Sequence, residues 1–462
     1  MPERSQSARL GLLLAALALG GLAHGFLPLG TLPAGVEPER VRLGLAILLV
    51  IGTLWLTEAL PLAVTALLVP LLATLTGVLD VRAAFASFAH PLIFLFLAGF
   101  GLAAALSARD LDRWLAEQVV RGFRGDFRRS AFGLFSVSAG LSMWVSNTAT
   151  VALLLPVALG LLADVRRASG EGAATRAAPF VLLGIAYSAS VGGIGTVIGS
   201  PPNAIAAAAL GLSFVDWLGM ALPFVAVLLP VLFLLLARLA PPGPVAPLET
   251  PAAGSFPFDR ARVATLAIFG LALVGWLASR PLSAALGIEA DFDTVVALAA
   301  LVALVAFGLV SWKDVEHTVD WSVLLLFGGG LALSVVLGES GAGRYLAHQL
   351  SAVTQALPFF LLVASAVGFL VFLTEVSSNT ATAALFVPLL LATARELGAA
   401  PAALVVPAAI ACSCAFMLPV ATPPNAIVFG SGRVTQRQMM RVGVVLNAVC
   451  VVVIALVGRL AL

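Results

Sequence analysis

Uncharged apolar runs of about membrane length, recurring along all 462 residues, limit this chain to very few folds. A hydrocarbon core about 30 Å thick needs about 20 apolar residues per helix. On that ruler the sequence marks spans at 9–27, 42–58, 60–78, 84–107, 178–211, 218–239, 262–279, 292–311, 320–338, 402–432 and 438–461. Two further apolar regions, 130–164 and 357–394, are interrupted by Ser-Asn-Thr clusters. Each is expected to be a re-entrant hairpin turning at mid-membrane, a backbone tolerated only where it is buried in protein or lines a watery cavity. The expected fold is therefore an all-α polytopic membrane protein with about 11 transmembrane helices plus two re-entrant helical hairpins. The composition agrees: 61% of residues are apolar and 10% charged, against about 25% charged in soluble domains. Leu10 to Phe26 follows Arg4 and Arg9 like a signal peptide, but without a small-x-small cleavage site it reads as the first membrane helix.

The charges that remain report orientation. With the N-terminus in the cytoplasm, 18 of the 25 basic residues fall inside and 7 outside. The positive-inside rule then gives an inner-membrane protein with a cytoplasmic N-terminus and an external C-terminus. Residues 108–129 alternate charge with Leu, Trp and Val and are expected to lie along the cytoplasmic surface as an amphipathic helix. Pro241 to Pro257, rich in Pro, Ala and Gly, marks a linker. A net charge of +2 suggests no nucleic-acid partner. Cys412, Cys414 and Cys450 form no CxxC pair and read as small core side chains; His24, His90, His317 and His348 have no metal-ligand spacing. No nucleophile-base pair lies in the spans, so an enzyme is not expected.

The chemistry is carried by an internal repeat. SNTAT occurs at Ser146–Thr150 and again at Ser378–Thr382; PPNAI occurs at Pro201–Ile205 and again, in the same order, at Pro423–Ile427. Each half thus holds a hairpin bearing Ser-Asn-Thr, then a helix interrupted at Gly199-Ser200-Pro201-Pro202-Asn203 or Ala421-Thr422-Pro423-Pro424-Asn425. Consecutive prolines are expected to enforce these breaks. Six spans precede the linker and five follow; with the first span outside the repeat each half has an odd five, so equivalent hairpins enter from opposite faces, an inverted-topology repeat typical of secondary transporters.

Ser, Asn and Thr offer neutral oxygens to a hard cation and donors to an anion, while broken helices present N-termini to negative charge. Hairpin one supplies Ser142, Ser146 and Asn147; hairpin two supplies Thr374, Ser377, Ser378 and Asn379. Ser142 with Ser146, and Thr374 with Ser378, are spaced i, i+4 and expected on one helix face. An oxygen cluster without carboxylates favours Na⁺ over Ca²⁺ or Mg²⁺. An isolated Ser-Asn-Thr in a membrane helix would be interhelical glue; recurrence at paired breaks favours a binding role. Glu375 beside the second cluster either tunes an ion or makes structural hydrogen bonds, its counterpart in the first half being Met143. Glu58 is expected at a helix end or interface, and His90-Pro91 as a kink rather than a proton relay.

The two SNT motifs, TEALPLAVTALL at Thr57–Leu68 and the GSPPN and ATPPN breaks resemble the divalent anion:sodium symporter family over essentially the whole chain. The resemblance implies a homodimer in the lipid bilayer in which a scaffold domain stays fixed while a transport domain moves as an elevator. On that division 1–129 is mainly scaffold, 130–240 the first transport segment, 241–261 the linker, 262–356 the second scaffold segment and 357–462 the second transport segment. It implies at least two Na⁺ sites, one from Ser142, Ser146, Asn147 and Gly199, the other from Thr374, Ser377, Asn379 and Ala421, with Ser377 and Ala421 giving backbone oxygens. A dianionic carboxylate would meet Asn147, Thr148, Ser200, Pro201, Ser378, Asn379, Thr380, Thr422 and Pro423. The expected function is Na⁺-coupled symport of a C4 dicarboxylate such as succinate. The other readings are a dicarboxylate exchanger, a citrate or sulfate carrier on the same fold, and, more remotely, a proton-driven antiporter using Glu375.

Overall fold

The computed structural model describes residues 6–461 apart from 34, 113, 116, 117, 119–124, 249–258, 289 and 355–357. The first half runs through α1 (Gln6–Phe26), α2 (Pro38–Thr57), α3 (Leu62–Leu75), α4 (Val81–Ala86) and α5 (Pro91–Ala108). It continues with α6 (Phe127–Ser142), α7 (Asn147–Ser169), α8 (Glu171–Gly193), α9 (Pro201–Leu210) and α10 (Phe214–Leu239). The second half opens with α11 (Arg260–Leu277), α12 (Ser279–Leu286), α13 (Phe292–Ala306), α14 (Trp312–Thr318), α15 (Trp321–Glu339) and α16 (Ala342–Thr354). It ends with α17 (Phe359–Leu373), α18 (Asn379–Glu396), α19 (Ala402–Cys412), α20 (Pro423–Gly430) and α21 (Gln436–Ala461). Among the described residues nine helical stretches are long and apolar enough to cross a membrane, while α3, α13, α17 and α19 are shorter apolar helices. Both hairpins form, as α6–α7 and α17–α18, and both interrupted helices form, as α8–α9 and α19–α20. Nine of the 22 residues of the expected surface helix at 108–129, like the centre of the linker, lie outside the described residues.

Two local expectations are corrected. Ser142 and Ser146 do not share a helix face: α6 ends at Ser142, and Ser146 caps α7, accepting from Ala149 N–H. Likewise α17 ends at Leu373, and Ser378 caps α18. The hydroxyls compete for the backbone and stop the helix, as Ser and Thr do at N-caps. The double prolines also do not interrupt helix interiors. They occupy the first turns of α9 and α20, where a missing N–H is harmless and a fixed φ is favourable. The backbone breaks just before them, in 194–200 and 413–422.

The core is built around α8, buried over nearly its whole length, with α6 and α7 packed on it. The two halves interlock there. α9 of the first half packs on α18 and α19 of the second, and α20 of the second packs on α7 and α8 of the first. Close approach elsewhere relies on glycine, as is usual for membrane helix pairs. At the crossing of α15 on α3, a methyl added to Gly329 would lie 2.7 Å from Ala66 Cα and 2.9 Å from its carbonyl oxygen. Backbone atoms cannot step aside, so Gly329→Ala must spread the two helices, an overpacking effect of about 1–3 kcal/mol. We expect a thermal unfolding midpoint several degrees below that of the parent in detergent; an unchanged midpoint would show that the crossing is looser than described.

Candidate functional site

A cavity of about 780 Å³ collects both hairpin tips and both helix breaks. Four helix N-termini, those of α7, α9, α18 and α20, meet its wall through Asn147, Pro201, Asn379 and Pro423. The opposite wall comes from the α2–α3 turn (Glu58, Leu62), α5 (Phe96, Phe100) and the start of α15 (Asp320, Ser322). Among the described residues no Lys or Arg lines the cavity, whereas Glu58, Asp320 and Glu375 do.

The structure brings together almost all the residues expected from sequence. Ser142 and Thr374 alone among them do not line the cavity, being fully buried directly behind it. Each reaches the asparagine five residues on. Ser142 Oγ donates to Asn147 Oδ1, and Thr374 Oγ1 donates to Asn379 Oδ1 at 2.6 Å. Thr374 Oγ1 also donates to the Cys412 carbonyl at 3.1 Å. Ser377 Oγ is engaged by the Leu373 carbonyl (2.9 Å) and Thr382 Oγ1 (2.8 Å), which leaves its own carbonyl as the oxygen free for a ligand role. Thr422 caps α20 by accepting from Asn425 N–H.

The donor set suits a monovalent hard cation. In the first half, a methyl on Gly193 would collide with Asn147 Oδ1 and lie 3.0 Å from the Gly199 oxygen. One on Gly199 would lie 2.6 Å from the Gly193 oxygen and 2.9 Å from that of Ser142. Four neutral oxygens thus converge on a cradle that only glycine keeps open, with no carboxylate in it.

Sequence reasoning missed the residues that hold these loops. Asn203 Nδ2 donates to the carbonyls of Gly193 (2.8 Å), Ile194 (3.2 Å) and Thr196 (2.7 Å). Asn425 Nδ2 does the same for Ala415 (3.1 Å) and Leu418 (3.0 Å), at matching positions. The signal was in view, since both asparagines stand in the repeated PPN. Glu375 resolves to the hydrogen-bonding role: it accepts from the N–H groups of Phe416 (2.6 Å), Met417 (2.8 Å) and Leu418 (3.0 Å) and from Asn447 Nδ2 (2.7 Å). In the first half Thr196 Oγ1 donates to the Met143 carbonyl and Trp217 Nε1 to that of Ile194. Glu58 ends α2 in the left-handed conformation (φ 47°, ψ 37°), which a non-glycine residue seldom adopts, and so faces the cavity. His90 interrupts the helical stretch Val81–Ala108 with extended backbone, as expected of a kink, and its Nδ1 accepts from Leu92 N–H to start α5. All three cysteines are buried, as expected.

Comparison with known proteins follows the same lines. Residues 52–409 match the family described as citrate transporter. An uncharacterized transporter of Haemophilus influenzae is 45% identical over 422 residues, covering 90% of each chain. The sodium-dependent dicarboxylate transporter SdcS of Staphylococcus saprophyticus is 33% identical, covering 89% of this chain and 84% of its own. In fold, the chain resembles the crystal structure of the Alcanivorax borkumensis YdaH transporter, with a TM-score of 0.63 over 97% of both chains at 16% identity.

Gly199→Ala tests the cradle. The added methyl meets two backbone carbonyls that cannot move independently, so uptake should fall at least roughly tenfold, the scale of about 1–3 kcal/mol of overpacking. Transport at the parent rate would mean that these oxygens do not bind the transported ion.

Proposed function

The chain belongs to the citrate transporter family, transporters rather than enzymes, and within it we propose a Na⁺-coupled symporter of C4 dicarboxylates such as succinate. The observation that carries this reading is the pairing of two neutral-oxygen clusters, around Asn147 and Asn379, on one cavity that has four helix N-termini and, among the described residues, no basic side chain. The relative named a sodium-dependent dicarboxylate transporter supports both halves of the reading.

In this mechanism Na⁺ enters each cluster, held in the first half by Ser142, Ser146, Asn147 and Gly199 and in the second by Thr374, Ser377, Asn379 and Ala421. Helix N-termini carry roughly half a positive charge each. They receive the substrate carboxylates through Asn147 and Thr148 on one side and Asn379 and Thr380 on the other, with Ser200, Pro201, Ser378, Thr422 and Pro423 closing the pocket. Partial charges alone leave a dianion facing Glu58, Asp320 and Glu375, so substrate affinity depends on Na⁺ already bound.

The chain would act as a homodimer in the inner membrane, N-terminus inside and C-terminus outside, with the two transport segments moving as an elevator against the scaffold. The cavity then faces the cytoplasm. It reaches the α2–α3 and α14–α15 turns, while Trp144, just before the tip of hairpin one, stacks 6.2 Å from Trp276 with their planes 10° apart. Val376 and Val420, flanking the second cluster, are 67% and 65% exposed.

Proteoliposomes given succinate, malate, citrate and sulfate with and without a Na⁺ gradient test the proposal. Succinate uptake driven by Na⁺ and lost in both Asn147→Ala and Asn379→Ala is expected. Uptake indifferent to Na⁺ would leave exchange as the better reading, and exclusive uptake of citrate or sulfate would move the substrate. A second measurement tests orientation. Because the native cysteines are buried, Val376→Cys and Val420→Cys should react with an impermeant maleimide in inside-out vesicles faster than in right-side-out ones. The reverse order would place the opening on the outer face.

A further inference from the structure

The two cation clusters sit on different halves, yet the backbone segments that form them are tied to each other by two side-chain hydrogen bonds. Ser200 Oγ lies 3.1 Å from Ser413 Oγ, both side chains buried. Ser200 follows Gly199, whose carbonyl borders the first cradle, and Ser413 follows Cys412, whose carbonyl accepts from Thr374 in the second cluster. The second tie is Tyr187 Oη, which donates to the Phe416 carbonyl at 2.6 Å, with the two rings 5.0 Å apart. Tyr187 lies on α8, two turns before Gly193. Phe416 is a junction residue: its N–H is held by Glu375 of hairpin two, its carbonyl by the first half. The chain has only two tyrosines, and this one is fully buried with its hydroxyl spent on the other half.

We propose that Ser413 and Tyr187 are positioning residues that couple the two cation sites, so that filling one cradle pre-orders the other. The inference rests on the sodium-coupled reading. Each bond begins within a residue or two turns of one site's oxygens and ends on the loop that carries the other's. A cation that fixes Gly199 therefore also fixes Ser200, and through it the start of segment 413–418. Neither residue touches the cavity, so neither contacts substrate, and coupling of this kind shows as a change in one site's affinity when the other is occupied.

Ser413→Ala and Tyr187→Phe each delete one hydroxyl and almost no volume. The full chain in proteoliposomes is assayed for succinate uptake against Na⁺ concentration, and for succinate KM at saturating Na⁺. The parent should give a sigmoidal Na⁺ dependence with a Hill coefficient above 1. Each variant should lower that coefficient toward 1 and raise half-saturating Na⁺ about threefold to tenfold, the effect of losing one buried hydrogen bond, while succinate KM stays within about twofold. Ser413→Thr, which restores a hydroxyl, should return the coefficient. Unchanged Na⁺ dependence in both variants, or a fall in maximal rate alone, overturns the coupling. A parent that needs Na⁺ but gives a Hill coefficient of 1 overturns the coupling and leaves the symporter standing; a parent indifferent to Na⁺ removes both.

Discussion

Backbone that stops being helical inside a membrane must find partners for its N–H and C=O groups within the protein, because lipid offers none. Segments 194–200 and 413–422 are such backbone, and the rest of the site depends on how they are satisfied. Asn203 and Asn425 gather carbonyls from behind, three in one half and two in the other. An amide with two N–H donors suits this task, since carbonyls outside a helix need donors from elsewhere. With those carbonyls held, Gly199 and Ala421 are left to border the cavity. The loops are irregular so that their oxygens can face inward, and ordered because an asparagine prevents collapse.

The halves solve the donor problem differently. In the first, two side chains donate to loop carbonyls at Ile194 and Met143. In the second, three consecutive N–H groups point at Glu375 and a fourth donor arrives from Asn447 on α21. Charge-assisted hydrogen bonds of this kind are stronger than neutral ones, so the second loop is tied to its hairpin and to the last helix at once. That arrangement fills the acceptor sites that a proton-carrying carboxylate would need to exchange freely.

The broad plan was legible because its determinants are local or periodic. Apolar length located the spans, and the duplicated SNTAT and PPNAI located both hairpins and both breaks. Finer geometry was not, since it depends on partners far along the chain. Spacing put Ser142 and Ser146 on one helix face, whereas the hydroxyl of Ser146 ends that possibility by capping the next helix. What meets Ser142 is Asn147, brought round by the intervening turn. No spacing rule points from Tyr187 to Phe416, 229 residues away, or from Glu375 to Asn447, 72 residues away. Such contacts exist only once the halves interlock.

The interlocked halves match in motif but not in surroundings, and the mismatch bears on how the molecule works. Trp144 and Val376 each stand two residues before the Ser-Asn of their hairpin, and Ile198 and Val420 each two before the hydroxyl residue at their break. The first member is the better packed in both cases: Trp144 lies among Phe214, Phe269 and Trp276, and Ile198 lies against Gly99 of α5, both half-buried. Their counterparts Val376 and Val420 are mostly exposed. An inverted repeat whose halves were equivalently buried would open to both faces or to neither. The asymmetry is confined to these positions, since Ser146 and Thr148 at the tip of hairpin one are themselves exposed, and it is the kind of difference between repeats that the proposed alternating access would use. In the proposed mechanism, exchanging which members are covered would turn the cavity to the opposite face without remaking either oxygen cluster, because the ties from Asn203 and Asn425 lie within the broken helices themselves.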